Sequence, residues 1–388
     1  MNQCSRPARG MNGALRIATI IPDFADHMPR SGRPLLGVIE GEGIGQEVVG
    51  ACLDIAQTLS ECTGVAFDIR RGGKIGKEAL RESGLALTPE VVEFCDQLFN
   101  DGGALFCGPG GARFVYDLRR RFDLYCKLVP LKPMASLSNT GPLRPEVVAD
   151  VDILVVRENI SGFYFPDSSL QREPDGMVAR YAFEYREPEV KRILEVAMNA
   201  AKMRQGRLCV VHKPGGIEVV SQLWLQCARD LDLDKSVELE FLEVDNVNYQ
   251  LIADPRRFDV VVAPNMFGDV LADGASVLLG SRGMSYSANF GPGGKSAYQT
   301  GHGAAYDLAG RDIANPLGQM LSFAMMLHES FGLTAQSFCL QAAINEVLAA
   351  GWRTKDVMAP GCTEVGTREM VRRVTEAFRE RLISEVAA

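Results

Sequence analysis

The chain has 388 residues, 46% of them hydrophobic and 23% charged, with a net charge of -8. That is a globular composition, long enough for two domains. No basic stripe marks a nucleic-acid surface, and no apolar run is long enough to span a bilayer. Residues 18–22 are too short an apolar stretch behind Arg6, Arg9 and Arg16 for a cleaved signal. Ten cysteines are present without a CxxC pair. Cys52, Cys95, Cys107, Cys209, Cys227 and Cys339 sit among apolar neighbours, as buried reduced thiols of a cytoplasmic protein do.

Residues 1–33 read as an N-terminal extension. Its first thirteen residues are polar and expected to be mobile, 15–21 could add an edge strand, and 30–34 form a linker-like break. A buried strand follows at 35–39, then the turn Gly41-Glu-Gly-Ile-Gly45 and a helix over 46–60. Further strands are expected at 65–70, 98–107, 153–156, 208–212, 237–243 and 260–263. Helices are expected at 187–202 and 217–231, then at 316–331, 334–350 and 367–386. Alternation of this kind predicts an α/β fold with a largely parallel sheet. The glycine turn is not a dinucleotide fingerprint, because Gln46 stands where GxGxxG needs its last glycine.

Asp269 and Asp273 follow the buried stretch 258–263 directly. Four residues apart, they share one face of a helix. Adjacent carboxylates repel unless a cation lies between them, and hard oxygen ligands suit Mg2+ or Mn2+. The same spacing also serves a helix N-terminus whose acids favour the dipole.

Seven segments, in order from about residue 34 onward, carry a family likeness. They are Gly41–Gly45, the arginine-rich run 118–125, Val156-Arg-Glu-Asn-Ile-Ser-Gly-Phe-Tyr164, His212-Lys213, Val244-Asp-Asn246, the run 265–273, and the run 302–316. The chain resembles the metal-dependent β-decarboxylating dehydrogenases, the isocitrate/isopropylmalate dehydrogenase family. The resemblance implies an isopropylmalate dehydrogenase-like two-domain fold with a mixed central sheet and no Rossmann motif. It places 34–125 and 280–388 in a first, cofactor-side domain. Residues 126–279 then form a second domain for dimerisation, metal and catalysis.

It also implies roles. The 2-hydroxyl of a malate-like acid is oxidised by hydride transfer to a nicotinamide cofactor, and the β-keto acid loses CO2. Asp245, Asp269 and Asp273 would cage the divalent metal, Asp245 coming from the other subunit of a homodimer. Lys213, also from that subunit, would be the base, its pKa lowered near the metal. Tyr164 would protonate the enolate carbon. Arg119 and Arg157 would hold substrate carboxylates bidentately. His302, Gly303, Asp307 and Asn315 would line the adenosine side of the cofactor. Asp307-Leu308, where NADP enzymes of the family have Lys-Tyr, predicts NAD.

The chain departs from the family at several places. Val129 stands where a third arginine is usual, so Lys127 is expected to replace that cation. Arg113, together with Arg120 and Arg121, makes the substrate entrance basic where isocitrate enzymes carry a serine. Gln299 replaces a glutamate, and Pro214-Gly-Gly216 follows the catalytic lysine position. The expected activity is NAD- and Mg2+- or Mn2+-dependent oxidative decarboxylation of a 3-substituted malate. The C3 substituent is read as anionic, a carboxylate or phosphonate, rather than that of plain isocitrate or 3-isopropylmalate. The alternatives are a tartrate- or malate-type dehydrogenase of the same family, or a non-catalytic regulatory subunit.

Overall fold

A computed structural model of the chain describes residues 16–22, 24, 33–231 and 236–387. The polar start at 1–13 and the break at 30–32 lie outside the described residues. In chain order the strands are β1 (Leu35–Ile39), β2 (Asp68–Arg71), β3 (Ala104–Cys107), β4 (Cys126–Leu131), β5 (Ile153–Glu158), β6 (Asp167–Glu173), β7 (Gly176–Ala182), β8 (Arg207–His212), β9 (Glu238–Glu243), β10 (Val260–Ala263), β11 (Tyr286–Phe290), β12 (Ser296–Thr300) and the short pair β13 (Trp352–Arg353) and β14 (Thr363–Glu364). The helices are α1 (Ile17–Ile20), α2 (Gly45–Thr63), α3 (Gly76–Ser83), α4 (Pro89–Asn100), α5 (Phe114–Arg121), α6 (Pro145–Val148), α7 (Glu187–Met203), α8 (Glu218–Leu231), α9 (Val244–Ala253), α10 (Asn265–Ala275), α11 (Leu317–Glu329), α12 (Thr334–Ala349) and α13 (Thr367–Ala387).

One sheet of ten strands runs through the molecule in the order β2-β1-β3-β12-β11-β4-β5-β10-β8-β9. Its two ends are parallel wings, as the βα alternation demands. Its middle is antiparallel: β12 with β11, β11 with β4, and β4 with β5. The expectation of a mainly parallel core from βα alternation therefore holds for the wings and not at the seam, and the sheet is mixed, as the family resemblance implies. The strands are buried on both faces where helices cover them; every residue of β1, β3, β5, β10 and β12 is buried. The hairpin β6–β7 stands apart as a two-stranded ribbon with mostly exposed residues.

Two local expectations are corrected. Residues 98–107 are not one strand. Thr88 caps the amide of Val91, Pro89 sits in the first turn, and α4 carries the apolar residues to Asn100. The strand starts only at Ala104. Residues 17–20 form a helical turn rather than an edge strand. Helical spacing lets Ile17, Ile20 and Ile21 all enter the main core. The Glu329 side chain accepts from the Ile17 amide at 2.7 Å, Asn199 of α7 donates to the Ile20 carbonyl at 3.3 Å, and Phe24 meets Phe290 edge-on at 5.5 Å. Cys52, Cys95, Cys107, Cys209 and Cys227 are buried free thiols, whereas Cys339 is half-buried. Among the described residues no helix is long and apolar enough to cross a membrane.

Burial raises the Glu329 carboxyl from 4.5 to about 8, against the opposing pull of the Ile17 amide and Arg16. His328 and Tyr298 are its other titratable neighbours. Between those two pKa values the folded state keeps a proton that the unfolded chain has lost, so this group's contribution to stability falls as pH rises from about 4.5 to about 8. Thermal melts of wild type and Glu329→Gln should show this. The variant gains on wild type between about pH 5 and about pH 8, and a pH-independent difference would contradict the burial account.

Candidate active site

The site lies at the antiparallel seam. Directly opposed residues on antiparallel strands share a face. Lys127 on β4 is opposed to Arg157 on β5 and to Asn289 on β11, so the three project to one side. Helix α10 lies over that side. It comes close because residue 268 is glycine: a Cβ there would stand 2.9 Å from Cβ and Cγ of Arg157. Asp269 consequently forms an ion pair with Arg157 Nη1. The rest of the guanidinium is fixed by Asn265, whose Oδ1 accepts from Nε at 3.1 Å and from Nη2 at 2.8 Å. Asn265 is itself held, its side chain donating to the Ser161 carbonyl at 2.9 Å and its backbone amide donating to the Tyr185 hydroxyl oxygen at 2.9 Å. The Tyr164 hydroxyl donates to the second Asp269 oxygen at 2.8 Å.

Charge does not balance here. Arg119 and Lys127 are 5% and 9% exposed, and neither has a hydrogen-bonded acid among the described residues. Burial, with Arg119 and Arg157 nearby, pulls the Lys127 ammonium down to about 7. Burial and Arg157 pull Arg119 down to about 9. For Asp269 burial alone would raise the pKa, but Arg157, Lys127, the Tyr164 hydroxyl and Arg119 together hold it below the usual carboxylate range. Burial and the Asp269 charge push the Tyr164 hydroxyl up. Val129 is on the same face as Lys127, two residues along the strand, and buried.

Arg113 precedes α5 and is exposed, with Nη2 donating to the Tyr164 carbonyl at 3.3 Å. Arg120 lies over the Phe165 ring. Arg121 does not join the entrance; it pairs with Asp96 at 2.7 Å.

Asp273 is one turn beyond Asp269. Burial raises its pKa, with Asp269 adding to the rise and Arg282 opposing it. Arg282 Nη2 donates to it at 2.7 Å. Asp245 and Lys213 lie together instead: Lys213 Nζ donates to Asp245 at 2.7 Å and to Glu243 at 2.8 Å. The expected lowering of the Lys213 pKa is reversed within the protomer, because the bonds to Asp245 and Glu243 stabilise the ammonium. Asp245 is correspondingly held low by Lys213. Among the described residues no group of three His, Cys, Asp or Glu side chains forms a metal cage within one protomer. Asp269 and Asp273 alone supply hard oxygens on one helix face, a donor set that fits Mg2+ or Mn2+ with further ligands added from outside the protomer.

The predicted cofactor residues partly converge. His302, Gly303 and Asn315 line a cavity of about 460 Å3 together with Arg282, Lys355 and Asp356. The His302 ring donates from Nδ1 to the Gly303 carbonyl at 2.9 Å, and its buried Nε2 has no hydrogen-bond partner among the described residues. Burial lowers the His302 pKa. Asn315 donates to Asp356 at 3.1 Å. Asp307 is exposed and outside this lining. The glycine turn packs against the same loop: Gly43 has φ +59°, and a Cβ there would stand 2.0 Å from the Ala304 carbonyl oxygen. Glu42 ties the turn down, accepting from Gly111, Glu78 and Tyr306. Burial would raise its pKa, but these bonds lower it. A larger cavity, about 750 Å3, lies between α2 and α13, holds none of the predicted site residues, and has rim charges paired with acids (Arg368 with Asp312, Arg372 with Glu376, Arg379 with Glu61).

Sequence reasoning gave no role to Asn265, Arg282, Lys355 or Asp356. Asn265 stood inside a quoted segment; the other three carry no local signal and are joined to the site only by folding.

An unpaired buried cation is costly. Without substrate, Lys127→Met should therefore raise stability by roughly 1 kcal/mol or more. Urea unfolding measures it, and a loss of stability would mean that Lys127 has a partner in the free protein.

Residues 35–374 match the isocitrate/isopropylmalate dehydrogenase family. The 3-isopropylmalate dehydrogenase of Oleidesulfovibrio alaskensis is 38% identical over 357 residues, covering 87% of this chain and 98% of that protein. The 3-isopropylmalate dehydrogenase of Aquifex aeolicus is 36% identical over 358 residues, covering 88% and 96%. The structure of isocitrate dehydrogenase from Methylococcus capsulatus superposes with a TM-score of 0.78 at 26% identity, covering 89% of this chain and 99% of that one. With the mixed ten-stranded sheet and the acid–arginine cluster at its seam, the chain thus belongs to the isocitrate/isopropylmalate dehydrogenase family of oxidative decarboxylating dehydrogenases.

Proposed function

We propose that this enzyme oxidatively decarboxylates a 3-substituted malate with NAD and Mg2+ or Mn2+, and that the C3 substituent is anionic. The observation that carries the reading is the surplus of buried cations. Arg119 and Lys127 lack acid partners among the described residues, and Arg157 shares its charge only with Asp269. A dicarboxylate placed here would neutralise both. The metal would stabilise charge growing on the C2 oxygen, and the nicotinamide would accept the hydride from C2.

The chain's own groups do the rest. Arg119 and Arg157 orient the carboxylates, and Lys127 supplies the cation that Val129 cannot. The hydroxyl proton passes to Lys213 across the subunit boundary. Loss of CO2 leaves its bonding electrons in an enolate, whose carbon takes the Tyr164 proton. Tyr164 is suited to this because burial and Asp269 keep it protonated. Recruitment of Asp245 to the Asp269–Asp273 pair of a second copy removes the 2.7 Å partner of Lys213, leaves Glu243 at 2.8 Å, and so weakens the hold on the ammonium proton. Arg113, at the Tyr164 carbonyl, faces the C3 substituent. The similar proteins named 3-isopropylmalate dehydrogenase favour an apolar substituent instead, and the assay decides between the two.

For the cofactor, Asp356 in the cavity and Asp307 beside its loop disfavour a 2′-phosphate. For the dimer, Val219, Tyr249 and Val270 are more than half exposed on α8, α9 and α10, and Leu170 and Met177 on the hairpin. Apolar surface so placed calls for cover.

NADH formation with Mn2+ and a panel of 3-substituted malates tests the reaction. Anionic substituents should be preferred over isopropyl, Arg113→Ala should erase that preference, and Lys127→Met should lower kcat/KM by about 10- to 100-fold. An unchanged preference in Arg113→Ala refutes the anionic substituent; binding of NAD and hydroxy acids with no turnover would favour the regulatory-subunit alternative. Sedimentation should show a dimer that Val270→Asp dissociates, and a monomeric wild type would overturn the shared site.

A further inference from the structure

Arg282 belongs to both halves of the site. Its backbone is built into the wall of the His302 cavity: Ser281 Oγ donates to Asp356 at 2.5 Å and accepts from the Gly283 amide at 3.0 Å. Gly283 is so close to this wall that a Cβ would stand 2.4 Å from an Asp356 oxygen and 2.9 Å from Asn315 Cβ. The short helical turn 282–284 therefore has little freedom to leave the cavity. From that fixed base the Arg282 side chain reaches out to Asp273, one of the two acids on the metal-side helix.

The Arg282–Asp273 pair is poorly shielded, its side chains being 58% and 46% exposed. Pairs of that kind stabilise by little and exchange readily. A divalent cation on Asp273 occupies the carboxylate and adds a like charge next to the guanidinium, which removes the reason for the pair. Released, the guanidinium is still held at the rim of the cavity by its anchored backbone; the cavity lining carries Lys355 and Asp356, the latter already bonded to Ser281 and Asn315. The anionic element of a dinucleotide is its diphosphate, and a guanidinium binds phosphate oxygens bidentately.

We propose that Arg282 couples the two ligands. It neutralises Asp273 before the metal binds and moves to the cofactor diphosphate once the metal has taken that acid. The proposal rests on the metal and cofactor assignments made above. Linkage makes the effect reciprocal: metal tightens cofactor binding, and cofactor tightens metal binding by the same factor.

Binding measurements on the full-length protein test this without turnover. Mn2+ affinity is read from the electron paramagnetic resonance of free Mn2+, and NADH affinity from its fluorescence, with and without saturating Mn2+. In wild type Mn2+ should tighten NADH by about fivefold or more. In Arg282→Gln the factor should fall below about twofold, while Mn2+ binding alone is retained or improved because a competing cation is gone. A second probe needs no variant: adenosine, which lacks phosphate, should show no Mn2+ effect in wild type. Equal tightening in Arg282→Gln, equal tightening of adenosine, or independent binding of Mn2+ and NADH to wild type would each overturn the coupling while leaving both sites intact. Failure of wild type to bind Mn2+ would instead sink the metal assignment, and the coupling with it.

Discussion

Buried positive charge at the seam is the constraint around which the site is organised. Burying an ion without a partner costs several kcal/mol, and natural cores avoid it. Here, among the described residues, Arg157, Arg119 and Lys127 converge on one side of the sheet with one ion-paired acid, Asp269, while Asp273 is paired to Arg282. Folding alone does not resolve that imbalance; an anion arriving from solvent would. On the proposed function, substrate affinity and free-state instability would then have the same origin, as is usual where binding sites trade stability for function.

The sheet explains why these cations meet. Two parallel wings supply scaffolds whose inner strands β1, β3, β5, β10 and β12 are buried throughout, and the antiparallel strands between them put β4 and β5 in direct side-chain register. Lys127 and Arg157 are 30 residues apart in sequence yet opposed in space. The glycine at 268 then lets α10 descend onto Arg157, so the two acids of the helix meet the cations of the strands. Geometry, not local sequence, converts a one-turn spacing of carboxylates into a site with a front, held by Asp269 and Tyr164, and a flank, held by Asp273.

Much of this was legible in the sequence because it depends on short-range periodicity. The pairing of Asp269 with Asp273 on one helix face follows from a four-residue spacing, and most helices and strands follow from apolar pattern. What was not legible depends on distant partners. The antiparallel seam is invisible to a reading of alternating βα units. The clasp of Ile17 by Glu329 joins residues 312 positions apart, and without it residues 17–20 read equally well as a strand. Lys213 as a solitary side chain suggests a desolvated base; only the fold shows Glu243 and Asp245 beside it. Asn265 escaped notice because an asparagine that orients an arginine has no motif of its own. Of the residues expected on the adenosine side, His302, Gly303 and Asn315 share one cavity wall, while Asp307 is exposed outside it and Asp356, 41 residues beyond Asn315, joins the wall.

The small N-terminal helix has a mechanical consequence. Its amide end is tied to α11, which packs on β3, β11 and β12, and its carbonyl end to α7, which packs on β5, β8 and β10. It thus spans the seam like a rivet through two plates. Any rotation of one wing against the other would shear one of these two fastenings or carry the helix along, so a segment remote from the acid–arginine cluster resists that motion.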